Sequence, residues 1–389
     1  MESPLPRQTL SRRSVLRLGK GRRFAALLLL LAAGCHRSVG PVLEARYRVG
    51  LGADSMSLSP DGRHLAVACR RSNDVWVLGL PSGALESRID TLPQPRAVLF
   101  HPDGASFYVA EGLSTVAQIR LSDRRVARQF RPRWRVTRLA WEPGSARIFA
   151  GHLGVPLLGI YRLKDMHLEN SVTMGGEVVD LGFSGQQAWV LTRDADGLEQ
   201  LALRDMERKA AALAGPDPRS LCLDGPRAWV ACHGRAATAP DLALPTEALS
   251  PEAQTPLSGT AVASPTEDAL AVGDAADDQG DLSPAAQTQD PRFDGGGVAL
   301  FRLKALQRVD YLAVPGGPVA VLAGPSGREL AVACEDGKLR LLDIEARRVD
   351  AELDLGGHPS AMLAIPGGRL LIALSNVKTV LRVRLPAPW

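Results

Sequence analysis

From residue 56 onward the chain is a succession of short apolar runs broken by polar turns. The clearest unit reads Met56-Ser-Leu-Ser-Pro-Asp-Gly-Arg-His-Leu-Ala-Val-Ala-Cys69, then Ser72-Asn-Asp-Val-Trp-Val-Leu78, then Pro81-Ser-Gly-Ala-Leu-Glu-Ser-Arg-Ile89. Apolar runs this short, bounded by Gly, Pro, Asp and Ser, predict strands rather than helices. The unit predicts four of them. A first run leads into Pro60-Asp61-Gly62, a tight turn in which Gly62 is free to take positive φ. Leu65–Cys69 is a second strand, Val75–Leu80 a third, and an alternating fourth follows the Ser82-Gly83 turn.

The unit recurs six more times. His101-Pro-Asp-Gly104 precedes Phe107-Tyr-Val-Ala110, and Glu142-Pro-Gly144 precedes Arg147-Ile-Phe-Ala150. Ser184-Gly185 precedes Ala188-Trp-Val-Leu191, and Asp224-Gly225 precedes Ala228-Trp-Val-Ala231. Pro325-Ser-Gly327 precedes Leu330-Ala-Val-Ala333, and Pro366-Gly-Gly368 precedes Leu370-Leu-Ile-Ala373. Apart from one insertion the spacing is about 40 residues, the length of a four-stranded blade. The last copy supplies only three strands, the third over Thr379–Leu385, while a spare strand-like segment, residues 43–49, stands ahead of the first copy. Pairing the two closes a circle and removes a sheet edge. The expectation is an all-β chain whose residues 43–389 form a single seven-bladed β-propeller of four-stranded antiparallel blades, closed by an N-terminal strand in the last blade.

Ser59-Pro-Asp-Gly62, Leu65-Ala-Val-Ala68, Ser72-Asn-Asp-Val-Trp-Val-Leu78 and Ser82-Gly83 resemble the YVTN-type, WD40-like β-propeller repeat, written around SPDGxxLYVAN, SNTVSVID and TG. The resemblance is strongest in copies 1, 2, 6 and 7. It implies the fold and an extracytoplasmic setting, but no particular activity, because relatives serve many roles.

The first 34 residues read as an address. A basic stretch precedes ten apolar residues, Phe24–Ala33, too few to span a bilayer and typical of a signal peptide. Leu31-Ala32-Ala33-Gly34-Cys35 resembles a bacterial lipobox, with the large aliphatic residue one place early. It predicts lipidation of Cys35, followed by a tether over 35–42; the alternative is a plain signal peptide that leaves Cys35 free. Ser11-Arg12-Arg13-Ser14-Val15-Leu16-Arg17 resembles the twin-arginine signal, with Val15 in place of Phe, so Arg12 and Arg13 are candidate export residues. General secretory export remains the alternative. Lipidation implies a bacterial cell-envelope protein facing the periplasm or the cell surface.

Charge adds one correction. The chain carries +4, but residues 1–34 hold +6 of it, so export leaves −2. Residues 236–291, in the fifth copy, contain ten acidic residues, seven prolines and no Lys, Arg or aromatic residue. That composition predicts a disordered acidic insertion within blade 5. Asp274, Asp277, Asp278 and Asp281 within it do not follow the calcium-loop spacing, and no glutamate stands at the closing position. The remaining body is basic without clustering or interleaved aromatics, which argues against nucleic acid as a partner.

Aligning the copies puts Asp54, Arg96, Thr137, Val179, Arg219, Val319 and Ser360 at equivalent places around the mouth of a central channel. Asp54, Arg96 and Arg219 are the candidate ligand contacts, the arginines suiting a carboxylate or phosphate. No catalytic residue, metal site or cofactor is assigned: the seven histidines are scattered, and no Cys-x-x-Cys-His is present. Cys69, Cys232 and Cys334 end the second strand in three different blades, so no disulfide is expected. The functional expectation is a non-enzymatic envelope lipoprotein whose propeller is a protein-interaction or ligand-binding scaffold, with the membrane and a protein as partners. A lactonase-like hydrolase and an accessory subunit of an envelope redox complex, each using the channel mouth, are the alternatives.

Overall fold

The computed structural model describes residues 40–112, 114–234, 296–387 and 389. The predicted signal peptide, with Arg12, Arg13 and Cys35, lies outside them, as does the 236–291 insertion. The described strands form seven four-stranded antiparallel sheets. Blades 1 to 4 span 53–90, 97–130, 136–173 and 178–213. Blade 5 comprises 218–232 with 297–313, blade 6 spans 318–354, and blade 7 joins 359–384 to Val42–Arg48. The seven-bladed ring expected from the repeat is the fold, and the spare N-terminal strand is the outer strand of blade 7.

Why the second strand of each blade is an unbroken apolar run is answered by its two faces. Leu65, Val67 and Cys69 pack with blade 7, while Ala66 and Ala68 pack with blade 2. Leu330, Val332 and Cys334 likewise face blade 5, and Ala331 and Ala333 face blade 7. A strand buried on both faces has no polar side to show, so alternation disappears. Burying a Leu or Val side chain contributes roughly 1.5–3 kcal/mol, and here that gain is made at the contacts between blades. Each described core cluster spans two neighbouring blades, so the core is seven seams around an axis and not one central mass.

The turn motif has a specific geometry in the first copy. Ser59 Oγ donates to Asp61 Oδ1 at 2.6 Å and accepts the His64 N–H at 2.9 Å. Asp61 Oδ1 also accepts the Arg63 N–H at 3.0 Å, and Gly62 takes φ +70°. Small polar side chains here satisfy backbone groups that the strands cannot.

Charged groups beneath the outer strands are paired. Asp74 accepts from Arg88 Nε at 2.7 Å and from Ser72 Oγ at 2.6 Å, and Glu199 lies 2.8 Å from Arg208 Nε. Arg340 reaches Asp336 and Glu352. Each pair ties a fourth strand, or the loop beside it, to the third.

The seam between blades 7 and 1 carries the ring closure. Tyr47, on the N-terminal strand, donates its hydroxyl to the Pro81 carbonyl of blade 1 at 2.6 Å, and Arg382 donates to the same oxygen at 2.6 Å. The Tyr47 ring lies so close to Gly83 that a Cβ there would sit 1.9 Å from it. Glu44 gathers Arg369 (2.8 Å), Arg382 (3.1 Å) and Arg384 (3.6 Å), and the hydrogen bond from Arg369 with these cations holds its carboxyl below the usual range.

One buried residue fits poorly. Cys69, Glu111, His152, Thr192, Cys232, Cys334 and Leu374 end the second strands of the seven blades. His152 is 0% exposed and, among the described residues, neither ring nitrogen makes a well-formed hydrogen bond. Burial lowers its pKa from 6.5, opposed only in part by the Trp134 backbone. The folded state therefore holds it neutral while the unfolded chain takes up a proton, so stability falls as pH drops below about 6.5. Replacing it with the residue blade 7 uses, His152→Leu, is expected to remove that slope and to stabilise the protein by about 1–2 kcal/mol at pH 5. Chemical denaturation at pH 5 and pH 8 checks this, and an unchanged slope contradicts it.

Candidate functional site

The geometry that gathers a site begins with a repeated defect. In six blades the pairing of first and second strands slips after the first residue, between Ala53 and Ser55, Val136 and Arg138, Val178 and Asp180, Pro218 and Ser220, Pro318 and Ala320, and Pro359 and Ala361. The skipped residues are Asp54, Thr137, Val179, Arg219, Val319 and Ser360. In blade 2 Arg96 stands just before the first strand and its N–H donates to the Ala110 carbonyl, opposite Ala97. A bulge re-aims the side chain it carries. All seven of these residues line one cavity of about 420 Å³ at the start of the inner strands. The equivalence drawn from the repeats thus corresponds to a shared bulge in six blades and to the position just before the first strand in blade 2, and Asp54, Arg96 and Arg219 are brought together.

The cavity has more cations than the first-strand positions alone supply. Arg70, Arg71, Arg138 and Arg193 also line it, as do Glu177 and Glu335. Six arginines therefore face three carboxylates, a formal excess of three positive charges. Some of this charge is matched. Arg70 is ion-paired with Asp54. Arg219 donates to Asp217 at 2.9 Å, and Arg193 lies 3.5 Å from the same carboxylate. His233 bridges Asp217 and Glu335. Arg138 instead donates to two backbone carbonyls, Val179 at 2.5 Å and Thr137 at 3.1 Å.

Arg96 is the outlier. Its Nε is buried without a hydrogen-bond partner among the described residues. Burial, reinforced by Arg70 and Arg135, pushes its pKa down, and Asp54 and Glu177 offset this only in part. The Arg71 N–H donates to the Leu51 carbonyl, but its guanidinium makes no hydrogen bond or ion pair among the described residues. Below the mouth a smaller space of about 180 Å³ shares Asp54, Arg138 and Arg219 and adds Asp180. Asp180 accepts the N–H groups of Leu221 (2.8 Å) and Leu181 (3.0 Å), and burial raises its pKa despite Arg138.

The hydroxyls at the mouth are turned to structure. Thr137 donates to Gly151 O at 3.4 Å, Ser375 to His358 O at 3.3 Å, and Ser360 to Ala373 O at 3.3 Å and to Ala53 O. Each is occupied by a main-chain carbonyl, not placed beside a base. Among the described residues no group of three or more His, Cys, Asp or Glu side chains is arranged to hold a metal ion. The four described cysteines are free thiols; burial pushes Cys69 up to about 12 and Cys334 up to about 11, which makes them poor nucleophiles.

Both ends of the 235–295 segment, Gly234 and Gly296, stand on this same face, beside His233. The described chain begins on the other one. Val42 pairs with Arg384 and Arg48 with Thr379, while Thr379 pairs with Leu374 and Leu374 with Pro359 at the mouth. Strands rise about 3.3 Å per residue, so Val42 stands roughly 20 Å from the mouth end of its strand.

If Arg96 is a cation held against other cations, removing its charge should help the ligand-free fold. Arg96→Gln is expected to leave stability unchanged or raise it by up to about 1 kcal/mol at low salt, the gain being limited by solvent screening. Thermal melts at about 10 mM and about 1 M NaCl check this, since the screening length falls from roughly 30 Å to 3 Å. The wild type should gain more from salt than the variant, and a destabilised variant contradicts the reading.

No family model matches the chain, and no curated protein matches it.

Proposed function

We propose that this chain is a non-enzymatic binding module of the bacterial cell envelope, exported by residues 1–34 and lipid-anchored through Cys35, with the mouth face of the propeller meeting its partner. The observation that carries the reading is the placement of the two faces. The tether joins the disc at Val42, on the face away from the arginine-lined mouth. Six residues lie between Cys35 and Val42, and the seven Cα steps they span reach at most about 25 Å. An anchored disc would then stand close to the bilayer with its mouth turned outward, where a partner can approach. The resemblance of the blades to YVTN-type repeats supports an extracytoplasmic setting, and the lipobox-like Leu31–Cys35 supports the anchor. Several acyl chains together, each contributing about 0.8 kcal/mol per buried CH₂, hold a protein firmly on a membrane.

Expression of the full chain in a bacterium, with mass spectrometry of the N-terminal peptide and membrane fractionation, tests this. The expected result is a mature N-terminus at diacylated Cys35, a membrane-bound wild type, and a Cys35→Ser variant released from the membrane with its propeller folded. An unmodified Cys35, or a Cys35→Ser variant that stays on the membrane, overturns the anchor.

A further inference from the structure

At the mouth six arginines line the cavity with three carboxylates, so positive charge is left over. We propose that the mouth binds a small anion carrying two or more carboxylate or phosphate groups, gripped by Arg96 and Arg71 on one side and Arg219 on the other. This deepens the reading of the propeller as a binding module and rests on it only in placing binding, not catalysis, at the mouth. Export and lipidation can fail without touching it.

Three observations converge. First, the blade 5 bulge turns Arg219 into one recess with Arg96, which stands just before the first strand of blade 2, and with Arg71, and the recess, at about 420 Å³, is of a size that holds a small metabolite. Second, the cations there outnumber the carboxylates two to one, and two of the three carboxylates are already engaged. Asp54 is ion-paired with Arg70, and Glu335 with His233. Third, Arg96 Nε is withdrawn from water and lacks a partner among the described residues. A buried donor left unpaired costs about 1–3 kcal/mol. A protein that keeps such a group at the focus of its blades has a standing demand for an acceptor.

The geometry favours an anion of more than one charge. Arg96 projects from blade 2 and Arg219 from blade 5, across the channel from one another in chain order. A single carboxylate can satisfy one guanidinium bidentately, whereas a di- or tricarboxylate, or a pyrophosphate group, can reach both sides. Arg219 already gives Nε and one terminal nitrogen to Asp217, and Arg138 gives the same two to Val179 O and Thr137 O, so each meets an anion through its other terminal nitrogen and through its charge. An acidic peptide would exploit the same charge, but it would lie across the rim and would not need the withdrawn Nε of Arg96.

Isothermal titration calorimetry of the purified full chain tests this with citrate and inorganic pyrophosphate, using acetate and an oligoglutamate peptide as comparators. Citrate or pyrophosphate is expected to bind at least tenfold more tightly than acetate, with affinity falling as NaCl rises. Arg96→Gln combined with Arg71→Gln should lower that affinity at least tenfold. Arg328→Gln, on the far face, should bind as the wild type does. The thermal melt of each variant without anion reports whether its fold is intact. Arg96→Gln alone, expected to fold at least as well as the wild type, keeps the test decisive should the double variant be impaired. The proposal is overturned if citrate and pyrophosphate bind no more tightly than acetate. It is also overturned if folded variants keep wild-type affinity, or if only the oligoglutamate binds.

Discussion

The pairing of Val42–Arg48 with Thr379–Arg384 is the contact on which the rest of this molecule depends. A sheet of three strands would leave the third strand of blade 7 with an unpaired edge and a half-covered core. The first described strand fills that place, so the two ends of the described chain are locked into one sheet. Closure is then reinforced where blades 7 and 1 meet, by Tyr47 packed on Gly83 and by two donors on the Pro81 carbonyl. Because each hydrophobic seam is shared between neighbours, opening one seam exposes both of its blades.

The same closure creates the site. Seven first strands converge on an axis, and each has one edge with no strand to pair. Side chains of the neighbouring blade cover part of it: Ser55 and Ser57 accept the N–H groups of Val98 (3.2 Å) and Phe100 (2.9 Å), and Asp180 accepts that of Leu221. At the mouth a bulge recurs in six blades, interrupts the ladder and turns one residue of each toward the opening, and in blade 2 Arg96, just before the first strand, takes the same place. A device that completes the sheet geometry therefore also decides which seven side chains a ligand would meet. Charge then sets the chemistry, since arginines at the mouth exceed the acids available to neutralise them.

Much of this was legible in the sequence because a propeller repeats its solution. The Pro-Asp-Gly and Ser-Gly turns, the two-faced apolar second strand and the missing fourth strand of the last copy each have a direct structural counterpart. The equivalence of Asp54, Arg96 and Arg219 was legible too, because it follows from counting back from the turn. Arg70, Arg71 and Arg193 were not. They lie at the ends of hairpins between the second and third strands, whose lengths differ from blade to blade, so no period marks them. Arg138 stands one residue after Thr137, and only the bulge explains why both face the same space. His152 carried no signal either: it occupies the place that other blades give to Cys, Glu, Thr or Leu, and nothing in its neighbours distinguishes a buried imidazole from an exposed one.

The central claim is that residues 42–48 are an integral strand of a closed ring. Native-state hydrogen exchange on the backbone amides of 42–48 and 379–384 tests it most directly. The account predicts that both segments exchange together, with protection close to that of global unfolding. Fast, independent exchange of 42–48 while 379–384 stays protected would show a strand merely resting on an already complete blade, and would contradict it.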